Sequence, residues 1–308
     1  MRTITQTTVG GPEVLTITEA AVPAPGVGEI RIAVKAAGVN PVDAAVRAGF
    51  FPLLGEPPFT VGWDVAGVVD AVGADVDAFS VGDRVFGLPR FPGAASAYSE
   101  YVVGAANEVV STPEQIDDIH AAALPMVGLT AYQAIVEIAD VQAGQRVLVQ
   151  GAGGGVGHIA VQLAKARGAY VVATVSARKR AFVDGLGADE TIEPLTAGSP
   201  VGIEPVDAAL DPFGGDNTIP TLRAIRDGGV LASLQDFDDA ARTEAERRGI
   251  RLVRVMVAPS QTSLTALAEL VERGLLVTHV SATFPLEEAS DAHAALAASP
   301  AGKIVLVP

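Results

Sequence analysis

The sequence predicts an α/β protein in two parts, a mostly β segment and a parallel, doubly wound sheet. In residues 1–110, short β-like runs such as EIRIAVKAAGV and DVAGVVDAVG are separated by Gly and Pro, which indicates many turns. From residue 146 onward, strand and helix patterns alternate, which is typical of a parallel sheet covered by helices. Between the first strand and the first helix of that region lies a glycine-rich turn, QGAGGGVG.

The predicted elements follow in order along the chain. The β part contains one short helix, NPVDAAVRAG, and leads into an Ala-rich stretch at 113–140 with apolar residues at helical spacing. The alternating region then reads strand RVLVQ, helix VGHIAVQLAKARG, strand AYVVATV, helix ARKRAFVDGLG, the segment DETIE, strand VDAALD, a helix at 216–227, strand GGVLASL, a charged helix at 238–249 and strand RLVRVMV at 251–257. The chain ends with helix SLTALAELVERG, the amphipathic stretch LEEASDAHAALAAS and strand KIVLVP.

The composition excludes several classes of protein. None of the 308 residues is Cys, which rules out disulfides, a thiolate nucleophile and zinc sites with cysteine ligands. The four histidines are not paired at metal-ligand spacing, so no metal is expected. A formal net charge of −15 disfavours general binding to nucleic acid. With no apolar run of about 18 residues and no signal-peptide pattern, we expect a soluble cytoplasmic protein without a membrane partner.

The glycine-rich turn carries the motif A-x-G-x-x-G. Its six residues are Ala152, Gly153, Gly154, Gly155, Val156 and Gly157. The first small residue permits a tight turn, Gly154 lets the backbone approach a pyrophosphate, and Gly157 lets the helix pack closely on the strand. The phosphates would bind N–H groups at the helix N-terminus, where the helix dipole favours negative charge. The pattern favours dinucleotide binding over the alternative, a turn that serves helix packing alone.

The residues after the second strand favour NADPH over NADH. An NAD site has an Asp or Glu about 20 residues after the motif begins, where it binds the ribose 2′-hydroxyl. Here Thr174 or Ser176 occupies that place, and Arg178, Lys179 and Arg180 follow. A hydroxyl and cations suit a 2′-phosphate, which a carboxylate would repel. The alternative is a basic helix start on the surface, and which cation would bind the phosphate stays open.

Seven long motifs span nearly the whole chain: AAGVNPVD (36–43), VGWDVAGVV (61–69), VGDRVFG (81–87), AYSEYVV (97–103), LPMVGLTAYQAI (124–135), QGAGGGVG and the terminal FPLEEASDAHAAL…GKIVLVP. In these motifs the chain resembles the medium-chain dehydrogenase/reductase superfamily, and within it the zinc-independent, zeta-crystallin-like quinone oxidoreductases. The resemblance implies a GroES-like, mostly β catalytic domain of residues 1–118 and 259–308, a Rossmann NADPH-binding domain of residues 119–258, and a cleft between them. It also implies a homodimer, because the strand at 251–257 resembles the edge that pairs in that family.

Zinc alcohol dehydrogenases of the same superfamily are the alternative, and their zinc ligands are missing here. Their first ligand is a Cys in a G-V-C stretch, where this chain has Asn40. Their second is a His in a G-H-E stretch, where this chain has Trp63. Without these ligands no zinc is held to polarise an alcohol or a carbonyl, so zinc-dependent alcohol oxidation is not expected.

The resemblance also implies site residues. Asn40 and Asp43 would line the cleft, with Asn40 bonded to an acceptor carbonyl or to the nicotinamide ribose, and Thr130 would lie beside the nicotinamide. The alternatives are that Asn40 sets up the turn before Pro41, and that the Thr130 hydroxyl bonds its own helix backbone. The implied contacts to the nicotinamide half of the cofactor are Gly214, Ser233 and Leu234.

The implied activity is metal-free hydride transfer from NADPH to quinones or similar conjugated carbonyls, which are already electrophilic. Related enzymes often carry a Tyr where this chain has Ala45, which disfavours enoyl-thioester reduction. Two alternatives stay open: reduction of 2-alkenals or enones, and a non-catalytic NADPH-binding redox sensor. Apolar loops at 50–59 and 88–95 suit a flat hydrophobic acceptor.

Overall fold

The computed structural model describes residues 1–196 and 202–308. Contacts between residues divide the chain into two units, Met1–Leu129 with Ala258–Pro308 and Thr130–Val257. The domain limits predicted from the sequence, after residues 118 and 258, stay a prediction.

The strands of the described residues are β1 (Arg2–Thr5), β2 (Thr16–Glu19), β3 (Glu29–Val39), β4 (Asp64–Val72), β5 (Arg84–Gly87), β6 (Tyr101–Ala105), β7 (Val109–Ser111), β8 (Arg146–Val149), β9 (Tyr170–Thr174), β10 (Glu190–Ile192), β11 (Val206–Asp211), β12 (Ile225–Ser233), β13 (Arg251–Arg254), β14 (Val280–Pro285) and β15 (Lys303–Val307). The α-helices are α1 (Pro41–Arg47), α2 (Asp118–Ala122), α3 (Pro125–Tyr132), α4 (Gly155–Ala166), α5 (Arg180–Gly185), α6 (Thr218–Ala224), α7 (Asp239–Arg248), α8 (Gln261–Glu272) and α9 (Ala289–Ala297).

The first unit is built on a sheet in the order β14-β15-β3-β4-β5-β7, with β6 also paired to β3. The long strand β3 alternates in burial at its start, with Ile30, Ile32 and Val34 turned into the core, as a strand with one covered face requires. The last strand, β15, runs antiparallel to β3, so the end of the chain completes a sheet that begins near residue 29.

The second unit is a sheet in the order β10-β9-β8-β11-β12-β13, and its described strand pairs are all parallel. The predicted doubly wound parallel sheet is therefore confirmed. Its strand order reverses between β8 and β11. Ligands of such sheets bind in the crevice outside the carboxyl ends of the strands at this switch point.

Some predicted elements are shorter than expected, the helices at 177–187 and 216–227 and the strand at 251–257 among them. The helix predicted at 216–227 ends at Ala224, because Ile225 turns to an extended backbone and starts β12. The guanidinium of Arg248 donates to the carbonyls of Leu222 and Ile225, which satisfies acceptors left at this helix end. The strand predicted at 251–257 is limited to β13, where pairing to β12 stops at Arg254.

Within residues 1–196 and 202–308, no helix combines the length and the apolar character that crossing a membrane requires.

Candidate active site

The glycine-rich turn of the second unit follows β8 and is bonded to the end of β9. Gly151 has a φ of 61°, a left-handed backbone conformation that glycine adopts without strain. Its N–H donates to Oγ1 of Thr174 over 3.0 Å, and the N–H of Ala152 donates to the carbonyl of Thr174 over 3.0 Å. Of the two hydroxyls at the end of β9, the buried Thr174 therefore serves the turn, while Ser176 is half-buried.

Two glycines of the motif have different surroundings. A β-carbon on Gly157 would lie 2.3 Å from the carbonyl oxygen of Gly151 and 2.7 Å from Cα of Ala152, so only glycine fits where α4 crosses the turn. A β-carbon on Gly154 would meet nothing closer than the Gly151 carbonyl oxygen, at 3.3 Å. The backbone at Gly154 is therefore open to a close approach by a ligand.

The helix α4 begins at this open backbone. The N–H groups of its first turn, on Gly155, Val156 and Gly157, have no carbonyl four residues earlier within the helix, and they carry the positive end of its dipole. His158 is buried and its Nδ1 lies 2.6 Å from the carbonyl oxygen of Gly155, so its ring packs against the helix start. Backbone donors, positive potential and an uncovered Gly154 together fit the phosphates of a dinucleotide.

Among the three cations after β9, Lys179 lies on the glycine turn. Its Nζ donates to the carbonyl of Gly153 over 3.3 Å. A β-carbon on Gly153 would lie 2.7 Å from Cδ of Lys179, so the aliphatic part of the side chain covers this glycine. Burial, together with the neighbouring charge of Arg178, lowers the Lys179 pKa. An anion bound at the turn would reverse that effect and stabilise the ammonium.

The other two cations have different surroundings. Arg180 begins α5, and its Nη1 donates to the carbonyl and the hydroxyl of Thr191, both over 3.1 Å. Its Nη2 also lies 3.2 Å from a carboxylate oxygen of Glu193. That carboxylate already compensates the charge of Arg180, which makes Arg180 a weaker anion ligand than Lys179. Arg178 is exposed.

The loop after β11 is held by one carboxylate. Oδ1 of Asp211 accepts the N–H of Phe213 over 2.9 Å and that of Gly214 over 3.2 Å. Burial raises the pKa of Asp211. The carbonyl of Asp211 accepts the N–H of Leu234 over 3.0 Å, and Asp211 pairs in register with the buried Ser233. The predicted residues Gly214, Ser233 and Leu234 are thus neighbours at the carboxyl ends of β11 and β12.

In the first unit, Asn40 and Asp43 belong to a buried polar cluster at the start of α1. The N–H of Asn40 donates to Oδ2 of Asp43 over 2.7 Å. Its Nδ2 donates to Oδ2 of Asp64 over 2.9 Å, and its Oδ1 accepts from Nζ of Lys303. The exposed fractions are 1% for Asn40, 0% for Asp43 and Asp64, and 3% for Lys303. The turn-forming role offered as the alternative for Asn40 is present, and the cleft-lining role stays a prediction.

The partners of Asn40 set the orientation of its side-chain amide. An ammonium only donates hydrogen bonds and a carboxylate only accepts them. Oδ1 of Asn40 therefore faces Lys303, and Nδ2 faces Asp64. The second hydrogen on Nδ2 has no acceptor among the described residues.

A second series of hydrogen-bonded polar side chains extends from Asp43. Nη1 of Arg47 lies 3.1 Å from Nδ1 of His293, and Nε2 of His293 lies 3.0 Å from the hydroxyl of Tyr98, which donates to Oδ2 of Asp43 over 3.0 Å. Because Arg47 only donates, the His293 proton is on Nε2. Burial lowers the pKa of His293 to about 3, with a further lowering by Arg47. Burial raises the pKa of Asp43 to about 7, with a further rise from the charge of Asp64.

The third residue expected at the reacting centre, Thr130, is 6% exposed in α3, at the first position of the second unit.

Sequence reasoning did not single out Tyr98, His293 or Lys303. The sequence did contain a signal for Lys303, which begins the apolar strand KIVLVP. A lysine is buried in such a place only when it has a partner. The sequence around His293 offers no comparable signal.

Known proteins resemble this chain along its full length. A quinone oxidoreductase from Lama guanicoe is 34% identical over 324 residues, which cover 100% of this chain and 97% of that protein. The chain belongs to the quinone oxidoreductase family. A 2-haloacrylate reductase from Burkholderia sp is 33% identical, with 97% of this chain and 96% of that protein covered. The suspected membership of the medium-chain dehydrogenases/reductases is confirmed, and the protein is an oxidoreductase.

Solved structures and family models agree with this membership. The quinone oxidoreductase of Coxiella burnetii superposes with a TM-score of 0.93 at 32% identity, covering 100% of this chain and 99% of that one. The quinone oxidoreductase of Escherichia coli complexed with NADPH gives a TM-score of 0.90 at 27% identity, with both chains fully covered. An alcohol dehydrogenase GroES-like domain matches residues 26–114, and a zinc-binding dehydrogenase model matches residues 186–306. These matches confirm the predicted combination of a GroES-like domain and a Rossmann-like parallel sheet.

In this member of the quinone oxidoreductase family, no group of three or more His, Asp or Glu residues within the described ranges is arranged to hold a metal ion.

We predict that Asp43→Asn changes the pH dependence of stability. The variant keeps an oxygen that accepts from Asn40 and Tyr98 but cannot ionise. In the folded native protein the Asp43 carboxyl has a pKa of about 7, compared with an ordinary value of 3.8. Its favourable contribution to the free energy of unfolding is therefore present below about pH 4 and is lost as the pH rises through 7. In urea unfolding, the free energy of unfolding of the native protein minus that of the variant should fall across this range by at most roughly 4 kcal/mol, at about 1.4 kcal/mol per pKa unit.

His293→Gln is the matched control, because the shift there has the opposite sign. The folded pKa of His293 lies near 3 against an ordinary 6.5, so its contribution is present above pH 6.5 and is lost as the pH falls towards 3. A stability difference between Asp43→Asn and the native protein that does not vary with pH would contradict the raised pKa of Asp43.

Proposed function

We propose that this protein is an NADPH-dependent reductase that transfers hydride to quinones or similar conjugated carbonyls without a metal. The choice of NADPH as the cofactor rests on one observation. The uncovered backbone at Gly154 lies at the start of α4, with Lys179 beside it and no carboxylate at the end of β9. When bound, NADPH supplies the hydride. The family membership and the NADPH complex of the related Escherichia coli enzyme support the same cofactor.

In this proposal the second unit binds the cofactor mainly through its backbone. The turn from Ala152 to Gly157, including Gly153, Gly155 and Val156, donates N–H groups to the pyrophosphate. Ser176, Arg178 and Lys179 bind the 2′-phosphate, with Lys179 as the main cation because Arg180 is paired with Glu193. The nicotinamide half extends over the loop at Gly214 and the strand end at Ser233 and Leu234.

In the first unit we assign Asn40 and Asp43 to the reacting centre. The orientation of its amide makes Asn40 a hydrogen-bond donor, which suits an acceptor carbonyl or a ribose oxygen. Asp43 acts on Asn40 through the backbone, because its carboxylate accepts the Asn40 N–H. Thr130 is proposed to contact the nicotinamide through its hydroxyl.

In this proposal the protein works without zinc because of the residues that occupy the positions of the zinc ligands in the related alcohol dehydrogenases. The chain has no Cys, and Asp64, beside the position of the second family ligand, already accepts from the ammonium of Lys303 over 3.1 Å. A zinc ion at this place would be repelled by that buried ammonium. Catalysis then rests on orientation of the reactants and exclusion of water.

A second candidate keeps the cofactor and changes the acceptor. The 2-haloacrylate reductase from Burkholderia sp, at 33% identity, is named for a substrate with a carbon–carbon double bond next to a carboxylate. That likeness supports reduction of a 2-alkenal or an enone as the alternative. In that case a proton must also reach the carbon that does not receive hydride.

The deciding experiment follows oxidation of NADPH and of NADH at the nicotinamide absorbance, with a benzoquinone, a naphthoquinone and a small enone as acceptors. We expect turnover with the quinones and a preference for NADPH. Faster turnover of the enone would favour the second candidate. Binding of NADPH without turnover of any acceptor would reject a reductase and leave a redox sensor.

We predict that Lys179→Met lowers the preference for NADPH. The substitution keeps an apolar chain over Gly153 but removes the ammonium, so KM for NADPH should rise by about tenfold to a hundredfold, the range expected for a charge-assisted hydrogen bond. KM for NADH, which has no 2′-phosphate, should stay unchanged. Arg180→Met is the matched control and should keep the preference. Equal losses with both cofactors would contradict the assignment of Lys179.

We further propose that the protein forms a homodimer through β13, the strand at one end of the second unit's sheet. Its free edge presents N–H and carbonyl groups that pair readily with another strand. Val253→Asp places a charge on that edge and should reduce the mass measured by light scattering from two chains to one. Thr191→Asp, on β10 at the opposite edge, should leave the mass unchanged. A native protein that elutes as one chain would refute the dimer.

A further inference from the structure

Lys303, the first residue of β15, holds an ammonium group inside the first unit. Its side chain is 3% exposed, and its Nζ lies 3.1 Å from Oδ2 of Asp64. Burying a lysine removes the hydration of its charge, and a single carboxylate offsets that cost only in part. An apolar side chain of similar size would avoid the cost. The buried charge therefore calls for an explanation other than packing.

The ammonium belongs to a closed triangle of hydrogen bonds with Asn40 and Asp64. Nζ of Lys303 donates to Oδ1 of Asn40, and Nδ2 of Asn40 donates to Oδ2 of Asp64 over 2.9 Å. That same carboxylate oxygen accepts from Lys303, and Oδ1 of Asp64 accepts the N–H of Met126 over 2.6 Å. The amide of Asn40 is thus bonded at both ends, which holds it in one orientation.

Two glycines leave room for the side chains of this triangle. A β-carbon on Gly38 would lie 2.5 Å from Oδ2 of Asp64, so the carboxylate lies directly against β3. Gly302 has a φ of 64°, and a β-carbon there would overlap the carbonyl oxygen of His279, which accepts the N–H of Lys303 over 2.9 Å. The backbone therefore holds Asp64 and Lys303 in place before any ligand binds.

We infer that Lys303 is a positioning residue of the proposed reduction and acts on the acceptor through the amide of Asn40. The inference rests on the proposed function, which assigns Asn40 to the reacting centre. Because the ammonium occupies Oδ1, the group that the amide has left for an acceptor oxygen is Nδ2, a hydrogen-bond donor. A cation on the oxygen of an amide also polarises its N–H groups, which strengthens them as donors.

A strong donor is useful when hydride reaches a conjugated carbonyl. Transfer of hydride from NADPH leaves NADP⁺ and gives the acceptor a hydrogen and two electrons. The carbonyl oxygen of the acceptor then carries the negative charge until a proton from water neutralises it. A fixed donor aimed at that oxygen stabilises the charge as it develops. In this inference Asn40 supplies the donor, and Lys303 sets its direction and its strength.

The test compares single and double variants in oxidation of NADPH, with whichever benzoquinone, naphthoquinone or enone the native protein reduces fastest. We expect Asn40→Ala to lower kcat about a hundredfold and Lys303→Met to lower it about tenfold. In the Asn40→Ala background, Lys303→Met should lower kcat by less than about twofold, whereas independent losses would multiply to about a thousandfold. KM for NADPH should stay within about twofold of the native value.

Lys303→Gln is the second variant, because Lys303→Met leaves Asp64 without its cation and can fail to fold. The amide of Gln still donates a hydrogen bond but brings no charge to Asn40. We expect kcat to fall about threefold to tenfold, again with no further loss in the Asn40→Ala background. A kcat equal to the native value would show that the charge of Lys303 does not reach the acceptor, and would overturn the inference.

Arg31→Met is the matched control. Arg31 also pairs with a carboxylate of β4, since its Nε lies 2.7 Å from Oδ1 of Asp70, but it lies near the start of β3, whereas Asn40 follows the end of that strand. The variant should unfold at a lower urea concentration and keep the native kcat. A loss of kcat as large as that of Lys303→Met would show that kcat only follows stability, and would overturn the inference.

Three further results would overturn the inference. Losses that multiply in the double variant would show that Lys303 acts independently of Asn40. A raised KM for NADPH with an unchanged kcat would place Asn40 on the cofactor instead of the acceptor. A native kcat in Asn40→Ala would remove Asn40 from the reacting centre while the reductase itself stands. If the native protein oxidised NADPH with no acceptor, the proposed function would be rejected as well, and that outcome is seen before any substitution is made.

Discussion

The close approach of α4 to the turn after β8 is the constraint on which the second unit depends. Gly157 lies so near the Gly151 carbonyl and Ala152 that no side chain fits between helix and turn. This contact brings the first N–H groups of α4 to the carboxyl edge of the sheet. Thr174 then fixes the turn to β9 through two hydrogen bonds. The anion site proposed here is made of backbone, so the neighbouring side chains are left to determine which anion is preferred.

In the first unit, the burial of one ammonium determines the polar cluster. A buried charge is tolerated only when its hydrogen bonds are satisfied. Lys303 donates to the carbonyl of Val39, to Oδ1 of Asn40 and to Oδ2 of Asp64, which uses all three of its hydrogens. Lys303 is thereby paired with Asp64. Burial raises the pKa of Asp43 to about 7, and the charge of Asp64 raises it further.

The parts of the site that are local in sequence could be predicted from it. The glycine turn, its strand and its helix lie within one short stretch, and the alternation of strands and helices indicates the parallel sheet. The polar cluster joins residues that are distant in sequence: Asp64 and Lys303 are 239 positions apart, and Tyr98 and His293 are 195 apart. No periodicity or motif records such a contact. The contact at the end of α6 is also distant in sequence, since Arg248, 26 residues beyond Leu222, donates to its carbonyl.

Electrostatics decides whether an anionic cofactor can bind a chain whose net charge is −15. At physiological ionic strength, charges beyond about 8 Å are largely screened, so the local charge matters more than the total. Residues 141–183 contain six Lys or Arg residues and no Asp or Glu, although the chain has 36 acidic residues. This stretch includes β8, α4 and β9, the elements that form the turn. Four of these cations, Arg146, Lys165, Arg167 and Arg180, are paired with carboxylates from outside the stretch. The positive groups that lie on the turn itself are Lys179 and the N-terminus of α4.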